Sequence, residues 1–204
     1  MYISSLYDYD CDEVCNLTST IFVKNEPICK CLGITEQEFT NAFNNIIFNC
    51  SNSGYSFSMK DHNTSEIVSV MLALPYEHYK HSYIPEDSIT KSIKPLLTIL
   101  DEVSCEDQFD SNNTLYLFIA CTRDDIECKG FAKILLQKVI DNAKNNFKYI
   151  VADATNIISQ HILINKFAFE NIKEIHYKTF QFNGKPIFNN IQTTKSVIRV
   201  LKAL

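Results

Sequence analysis

Residues 114–147, TLYLFIACTRDDIECKGFAKILLQKVIDNAKNNF, decide the fold of this chain. The run 114–121 is almost wholly apolar, as expected of a strand that is covered on both faces. A short acidic turn follows, and apolar residues then recur at helical spacing over 129–147. A buried strand that leads through a turn into an amphipathic helix is typical of α/β proteins.

The turn of this unit predicts a diphosphate site. A helix start offers unpaired N–H groups and the positive end of the helix dipole. Gly130 and Ala132 are small enough for the backbone to approach an anion, and Lys129 and Lys133 add positive charge. The residues expected to hold the diphosphate are Cys128, Lys129, Gly130, Phe131, Ala132 and Lys133. Taken alone, the same stretch also fits an ordinary helix N-terminus.

The remaining pattern predicts a single α/β domain over residues 1–204. Helices are expected at 10–20, from Thr35 onward with a Glu38 capping box, at 88–103 and at 156–167. Strands are expected at 55–59, 67–74, 149–152, 172–182, 187–191 and 196–201, with a hairpin turn at Asn183-Gly184. This order favours a mixed central sheet flanked by helices on both faces. Such a sheet can splay where parallel strands part, and ligands favour such openings.

Composition narrows the functional classes. The 204 residues are 46% hydrophobic and 21% charged, which is ordinary for a globular domain. A net charge of −5 argues against a nucleic-acid partner. The sequence has no apolar run of about 18 residues, and its start lacks signal-peptide features, so we expect a cytoplasmic protein without a membrane partner. The eight cysteines lack zinc-site spacing, so we expect free thiols, mostly in the core, and no metal. Nothing in the sequence indicates the oligomeric state.

The diphosphate turn resembles the R/Q-x-x-G-x-G/A signature of the GNAT superfamily of N-acetyltransferases. Gly130 and Ala132 match, whereas Glu127 stands where that family usually has Arg or Gln. Residues 166–169, KFAF, are similar to the family's K-L-G-F segment, with Ala168 in place of Gly. The resemblance implies a GNAT-like splayed sheet and acetyl-CoA as the acyl donor. It implies that the pantetheine pairs with strand 115–122 and that backbone groups of Ala120, Cys121 and Thr122 hold the thioester.

Three further stretches resemble the insect arylalkylamine (dopamine) N-acetyltransferases. Residues 22–27, FVKNEP, are similar to that group's F-x-x-D-E-P-L region, and 93–101 and 177–188 are similar to its second-helix region and its C-terminal hairpin. The resemblance implies that Glu26 is the general base. An alkylammonium with a pKa near 10 must lose a proton before it attacks, at a cost of about 4 to 5 kcal/mol at pH 7. A carboxylate can accept that proton directly or through a water. An exposed loop carboxylate is the alternative for Glu26.

The same resemblance places hydroxyl groups after the central strand, near the cofactor sulfur. Thr155 and Ser159 lie there, with Asn156 between them, so Ser159 is a candidate catalytic residue and Asn156 a candidate cofactor contact. Ser159 is equally suited to capping a helix. Many GNAT members carry a proton-donating Tyr in this helix, but residues 162–164 here are ILI. Tyr177 is a possible substitute, although packing on its strand is the simpler interpretation.

Two functions remain open from sequence. The first is transfer of acetyl from acetyl-CoA to a primary amine of a small molecule, by direct attack in a ternary complex. The second is a catalytically inactive GNAT-fold module for CoA binding or interaction, which the departures at Glu127 and Ala168 favour. Arylalkylamines, polyamines, amino acids and a protein N-terminus are all possible acceptors. The tyrosines of loop 76–83 suggest an aromatic pocket or simple packing, and the five histidines lack partners at suggestive spacing.

Overall fold

The central feature is one mixed sheet with strand order β1-β2-β3-β4-β5-β7-β6. The computed structural model describes residues 1–105, 107–126 and 129–204. The strands are β1 (Tyr2–Ser5), β2 (Phe57–Lys60), β3 (Ile67–Pro75), β4 (Thr114–Thr122), β5 (Tyr149–Ala154), β6 (Glu170–His176) and β7 (Ser196–Ala203). Neighbouring strands are antiparallel except β4 and β5, which are parallel.

Helices cover both faces of the sheet, as predicted. They are α1 (Cys11–Asn25), α2 (Pro27–Leu32), α3 (Glu36–Ser51), α4 (Tyr76–Lys80), α5 (Ile93–Ser104), α6 (Phe131–Ala143) and α7 (Ile157–Gln160). A π-helical turn, His161–Lys166, continues α7. Helices α1, α2, α3 and α5 contribute to one apolar cluster, and α6 and the π-helical turn contribute to a second cluster on the opposite face. The two clusters are the two layers expected of an α/β domain.

The chain is sharply broken between α1 and α2, and this break positions Glu26. A residue before proline is disfavoured in the helical conformation, so α1 ends at Asn25 and Glu26 is extended, with φ −76° and ψ 127°. Pro27 is the first residue of α2, where its missing N–H costs nothing. The predicted capping box of Thr35 and Glu38 is present at the start of α3 and is confirmed.

Several predicted boundaries differ from the structure. Helix α1 extends beyond residue 20, α5 begins at Ile93 rather than 88, and the strand predicted over 172–182 ends at His176. The predicted strand 187–191 is wrong, because this segment is a loop that buries Phe188 and Ile191 in the first apolar cluster. The Asn183-Gly184 turn is confirmed: both residues have positive φ, and Phe182 and Lys185 form a bridge across it.

Among the residues described, no helix combines the length and apolarity needed to cross a bilayer. Five of the seven described cysteines are buried and all seven are free thiols, which confirms the expected core location for most of them.

Candidate active site

The sheet opens between β4 and β5. Their parallel pairing runs from Thr114 and Tyr149 to Leu117 and Ala152, and β4 then continues for five more residues. Over 118–122 its backbone on the β5 side pairs with no described strand. The opening therefore presents free N–H and C=O groups to which an extended ligand can pair like an added strand.

Strand alternation identifies which backbone groups face this opening. The Arg123 N–H donates to the Val68 carbonyl on β3 at 2.9 Å. Because adjacent residues direct their backbone groups to opposite neighbours, Cys121 also faces β3, whereas Ala120 and Thr122 face the opening. Ala120 is exposed and Cys121 is buried, and burial raises the pKa of the Cys121 thiol to about 12. Of the three residues predicted to hold a thioester, Ala120 and Thr122 have the suitable orientation.

The predicted diphosphate turn lies at the start of α6. Gly130 is the N-cap in the left-handed region with φ 80°, a conformation that favours glycine. The Gly130 carbonyl accepts the backbone N–H groups of Lys133 and Ile134. No described side chain caps the N–H groups at the start of α6. Lys129 and Lys133 are exposed, and Phe131 and Ala132 are half-buried. Cys128, together with Glu127, lies outside the described residues.

Two carboxylates precede this turn in the chain. Asp124 accepts from Lys24 and from the Asn25 amide at 2.9 Å, and Asp125 pairs with Arg123 at 2.7 Å. These ion pairs hold the pKa of both carboxyls below its usual range. The pairing with Lys24 and Asn25 also ties the end of α1 to the segment that follows β4. Asp124 and Asp125 are thus neutralised by Lys24 and Arg123, and among the described residues Lys129 and Lys133 remain as positive charge at the turn.

Glu26 is a buried carboxylate with one oxygen left over. Only 3% of its surface is exposed, and it is the N-cap of α2, where Oε2 accepts the Cys29 N–H at 2.6 Å. Its Oε1 is buried and accepts no hydrogen bond from the described residues. Burial raises the pKa of Glu26, while the N–H groups of Cys29 and Ile28 and the Thr155 hydroxyl oppose that rise. A carboxylate with a raised pKa and a free oxygen is suited to accepting a proton near neutral pH.

Thr155 brings the end of β5 to Glu26. It follows directly after β5 and is half-buried, and its hydroxyl lowers the pKa of the Glu26 carboxyl against the rise that burial causes. Its carbonyl accepts from the Tyr177 hydroxyl at 2.7 Å. Since the β4–β5 opening begins just past Ala152, the structure unites Glu26 and Thr155 beside that opening. No sequence signal links these residues, because 129 positions along the chain separate Glu26 from Thr155.

Asn156 and Ser159 form a helix cap. The Asn156 side chain accepts the Ser159 N–H at 2.9 Å, and the Ser159 hydroxyl donates to the Asn156 carbonyl at 2.9 Å. Both residues are half-buried. The structure therefore gives each a local structural role at the start of α7, four residues or fewer from Thr155.

The predicted aromatic loop is a helix that packs inward. Tyr76 and Tyr79 lie on α4, and Tyr79 stacks on Tyr116 of β4 with ring centroids 4.1 Å apart. Tyr83 is 66% exposed. Tyr116 also contacts Phe118, which is half-buried on the strand that borders the opening. All five histidines are exposed, so none belongs to this buried group.

Sequence reasoning missed a buried ion cluster behind these rings. Arg199 of β7 is 1% exposed and donates to Asp153 at 2.7 Å and, through two nitrogens, to Asp107. The hydroxyls of Tyr76 and Tyr116 complete the cluster by donating to Asp107 and Asp153. Burial alone lowers the pKa of Arg199, but the two carboxylates outweigh it and the net direction is upward.

No protein-family model matches the sequence. The structure is similar to the C-terminal condensation domain of Ebony in complex with beta-alanyl-dopamine, with a TM-score of 0.84, 16% identity, and coverage of 100% of this chain and 98% of that one. It is also similar to arylalkylamine N-acetyltransferase 2 from Aedes aegypti, with a TM-score of 0.74, 20% identity, and coverage of 99% and 98%. For a Drosophila melanogaster polyamine N-acetyltransferase the TM-score is 0.70, the identity 13%, and the coverage 100% and 99%.

Proposed function

We propose, starting from the GNAT fold of this chain, that the protein is an N-acyltransferase. It would transfer acetyl from acetyl-CoA to a primary amine of a small molecule. The observation that carries this proposal is Glu26, a buried carboxylate with a free oxygen beside the opening between β4 and β5. The similar structures include enzymes named for acetyl transfer to arylalkylamines and to polyamines, which supports an amine acceptor.

The chemistry follows from these positions. Glu26 takes a proton from the acceptor ammonium, through the Thr155 hydroxyl or a water, because the carboxylate is itself buried. The free amine attacks the thioester carbonyl carbon, the carbon–sulfur bond breaks, and the leaving thiolate takes up the proton that the attacking nitrogen loses as the amide forms. Backbone N–H groups at Ala120 and Thr122 stabilise the charge that develops on the carbonyl oxygen. Cys121 stays a neutral thiol at pH 7, which favours direct attack in a ternary complex over a covalent cysteine intermediate.

The donor would lie along β4 with its diphosphate at the α6 turn, on the residues predicted for that role. Ser159 and Asn156 cap α7 beside Thr155, so we propose that they shape the sulfur end of the site rather than exchange protons. The free thiols of the described cysteines fit a reducing compartment, and we propose a cytoplasmic location.

A second donor class is favoured by one neighbour. The Ebony condensation domain was solved with beta-alanyl-dopamine, an amide of an amino acid and an amine. This observation favours an aminoacyl thioester as the donor.

Thiol release with a panel of amines tests both versions. Four donors are compared: the acetyl and the β-alanyl thioester, each of CoA and of pantetheine. The CoA forms carry the diphosphate and the nucleotide, and the pantetheine forms lack both. A preference for acetyl thioesters supports the first version, and a preference for β-alanyl thioesters supports the second. A thermal-shift titration runs alongside, because a ligand at 100 times its Kd stabilises by about 2.7 kcal/mol. Binding of CoA without thiol release for any amine would support the inactive module instead.

A further inference from the structure

The two outer strands of the sheet, β1 and β6, differ in how their free edges are protected. Strand β6, with the sequence ENIKEIH, carries three charged residues, and its pairing with β7 contains a register shift. Charged side chains and bulges are devices by which natural proteins keep edge strands from pairing with other chains. Strand β1, with the sequence YISS, carries no charge and no proline, and its pairing with β2 is regular. Of these protective devices it has only its short length.

The free edge of β1 presents the backbone groups of Ile3 and Ser5. The Leu6 N–H donates to the Ser56 carbonyl on the β2 side at 3.2 Å. Because neighbouring residues of a strand direct their backbone groups to opposite sides, Ser4 also bonds toward β2, whereas Ile3 and Ser5 face away from it. Among the described residues, the Ser4 hydroxyl alone reaches these outward groups, donating to the Ser5 carbonyl at 3.0 Å. The edge therefore offers donors and acceptors to a further strand.

Exposed apolar side chains lie on and beside this edge. Of the eleven large hydrophobic side chains that are exposed among the described residues, five belong to residues 1–9: Met1, Tyr2, Ile3, Tyr7 and Tyr9. Lys60, the β2 residue opposite Tyr2, pairs with Asp10 at 2.6 Å, so neither β1 nor β2 presents an unpaired charge. A concentration of exposed apolar side chains marks an interaction site, and two identical uncharged edges do not repel each other.

The spacing of the outward groups makes this edge complementary to itself. When a second copy of β1 runs antiparallel about a two-fold axis at Ser4, Ile3 of each copy lies opposite Ser5 of the other. Both are hydrogen-bonded pairs with two bonds each, so the outward N–H and C=O groups of Ile3 and Ser5 are all satisfied. The contact uses the same surface on both copies, so the assembly closes at two.

We propose that the chain forms a two-fold dimer in which the β1 strands of two copies pair antiparallel, with Ile3 opposite Ser5 and Ser4 at the axis. The two seven-stranded sheets then join into one continuous sheet. Only residues 3–5 of each copy take part in the ladder, so the dimer dissociates on dilution. It is independent of the proposed acyl transfer, because β2 and β3 separate β1 from the opening at β4.

Cysteine crosslinking tests the register. Opposite residues of a non-hydrogen-bonded antiparallel pair have Cα atoms about 4.5 Å apart, a distance that a disulfide can span. Ser4→Cys should therefore form a disulfide-linked dimer under mild oxidation, seen on a non-reducing gel. Ser5→Cys is the matched control, because the two Ser5 residues are diagonal neighbours about 7 to 8 Å apart. Neither Ser5→Cys nor the unmodified protein should crosslink, and a Ser4→Cys protein that stays monomeric would contradict the proposal.

Sedimentation velocity over a wide range of protein concentration measures the dimer itself. The unmodified protein should change from a mass of 23.5 kDa to twice that mass as its concentration rises. Ser5→Pro should raise the Kd of the dimer about 10- to 100-fold, because each copy loses one outward N–H donor. The ladder with β2 does not use that N–H, so the fold should be kept. Thermal unfolding at a concentration where both proteins are monomers checks this.

A charge on each edge strand compares the two edges directly. Ile3 and Ile172 are matched, since they are 39% and 42% exposed on β1 and β6. Ile3→Lys brings two like charges close to the axis and should raise the Kd of the dimer at least about 10-fold, whereas Ile172→Lys should leave it unchanged. A monomer at every concentration, which is also the result if β1 pairs only with a different protein, would overturn the proposal. A dimer that withstands both Ile3→Lys and Ser5→Pro would overturn it equally.

Discussion

Two buried carboxylate sites lie on the same side of the sheet and are built on opposite principles. Around Arg199, the carboxylates of Asp107 and Asp153 are bonded to the guanidinium and to tyrosine hydroxyls. At Glu26, one carboxylate is buried against neutral groups and keeps an oxygen without a described partner. A fully paired cluster contributes rigidity, whereas an underpaired carboxylate lowers stability and retains the capacity to accept a proton.

The largest expected effect is on the paired cluster. Arg199→Met should lower the free energy of unfolding by about 3 to 5 kcal/mol, because it leaves two buried carboxylates without their cation. Chemical denaturation at pH 7 measures this loss. The exposed Lys178→Met is the control and should unfold like the unmodified protein, whereas a loss below about 1 kcal/mol for Arg199→Met would show that the cluster is not buried as described.

The underpaired site should respond in the opposite direction. Glu26→Gln removes a desolvated charge, so stability at pH 7 should be unchanged or higher, by up to about 2 kcal/mol. A carboxyl whose pKa is raised on folding binds its proton more tightly in the folded state, so its contribution to stability falls as pH rises above the unfolded value of about 4.3. The gain in Glu26→Gln should therefore grow with pH above that value. A large loss of stability at pH 7 would assign Glu26 a structural role.

The smallest effect sharpens the comparison within the paired cluster. Tyr116→Phe removes one of the donors to Asp153 and leaves Arg199 in place, so the free energy of unfolding should fall by about 1 kcal/mol. Thermal unfolding of the two proteins under identical conditions measures it. A loss as large as that of Arg199→Met would mean that the hydroxyl, rather than the cation, holds the cluster together.

The sequence predicted the layers of the fold well, because they depend on local periodicity. The strand at β4, the helix at α6 and the capping box at Thr35 are all set by neighbouring residues. Strand β1 was not predicted, because its four residues form a strand only by pairing with β2. The segment 187–191 has strand-like apolar residues, but their burial as a loop is decided by tertiary packing.

The candidate site was predictable only in part, because most of its contacts depend on tertiary packing. Glu26 and the Gly130 turn could be identified because short motifs surround them. The burial of Glu26, its contact with Thr155 and the hydrogen bond of Tyr177 join segments that are far apart in the chain. The Arg199 cluster likewise draws on β4, β5, β7, α4 and the loop that holds Asp107, and no spacing in the sequence encodes such a meeting.

The central claim, that Glu26 is the general base, is tested most directly by thiol release from the preferred donor with a saturating amine. Glu26→Gln is compared with Glu170→Gln, which changes an exposed glutamate on the edge strand β6. We expect kcat/KM of Glu26→Gln to fall about 10²- to 10⁴-fold, the usual contribution of general base catalysis, and that of Glu170→Gln to be unchanged. Equal rates for Glu26→Gln and the unmodified protein, with both folded, would contradict the account.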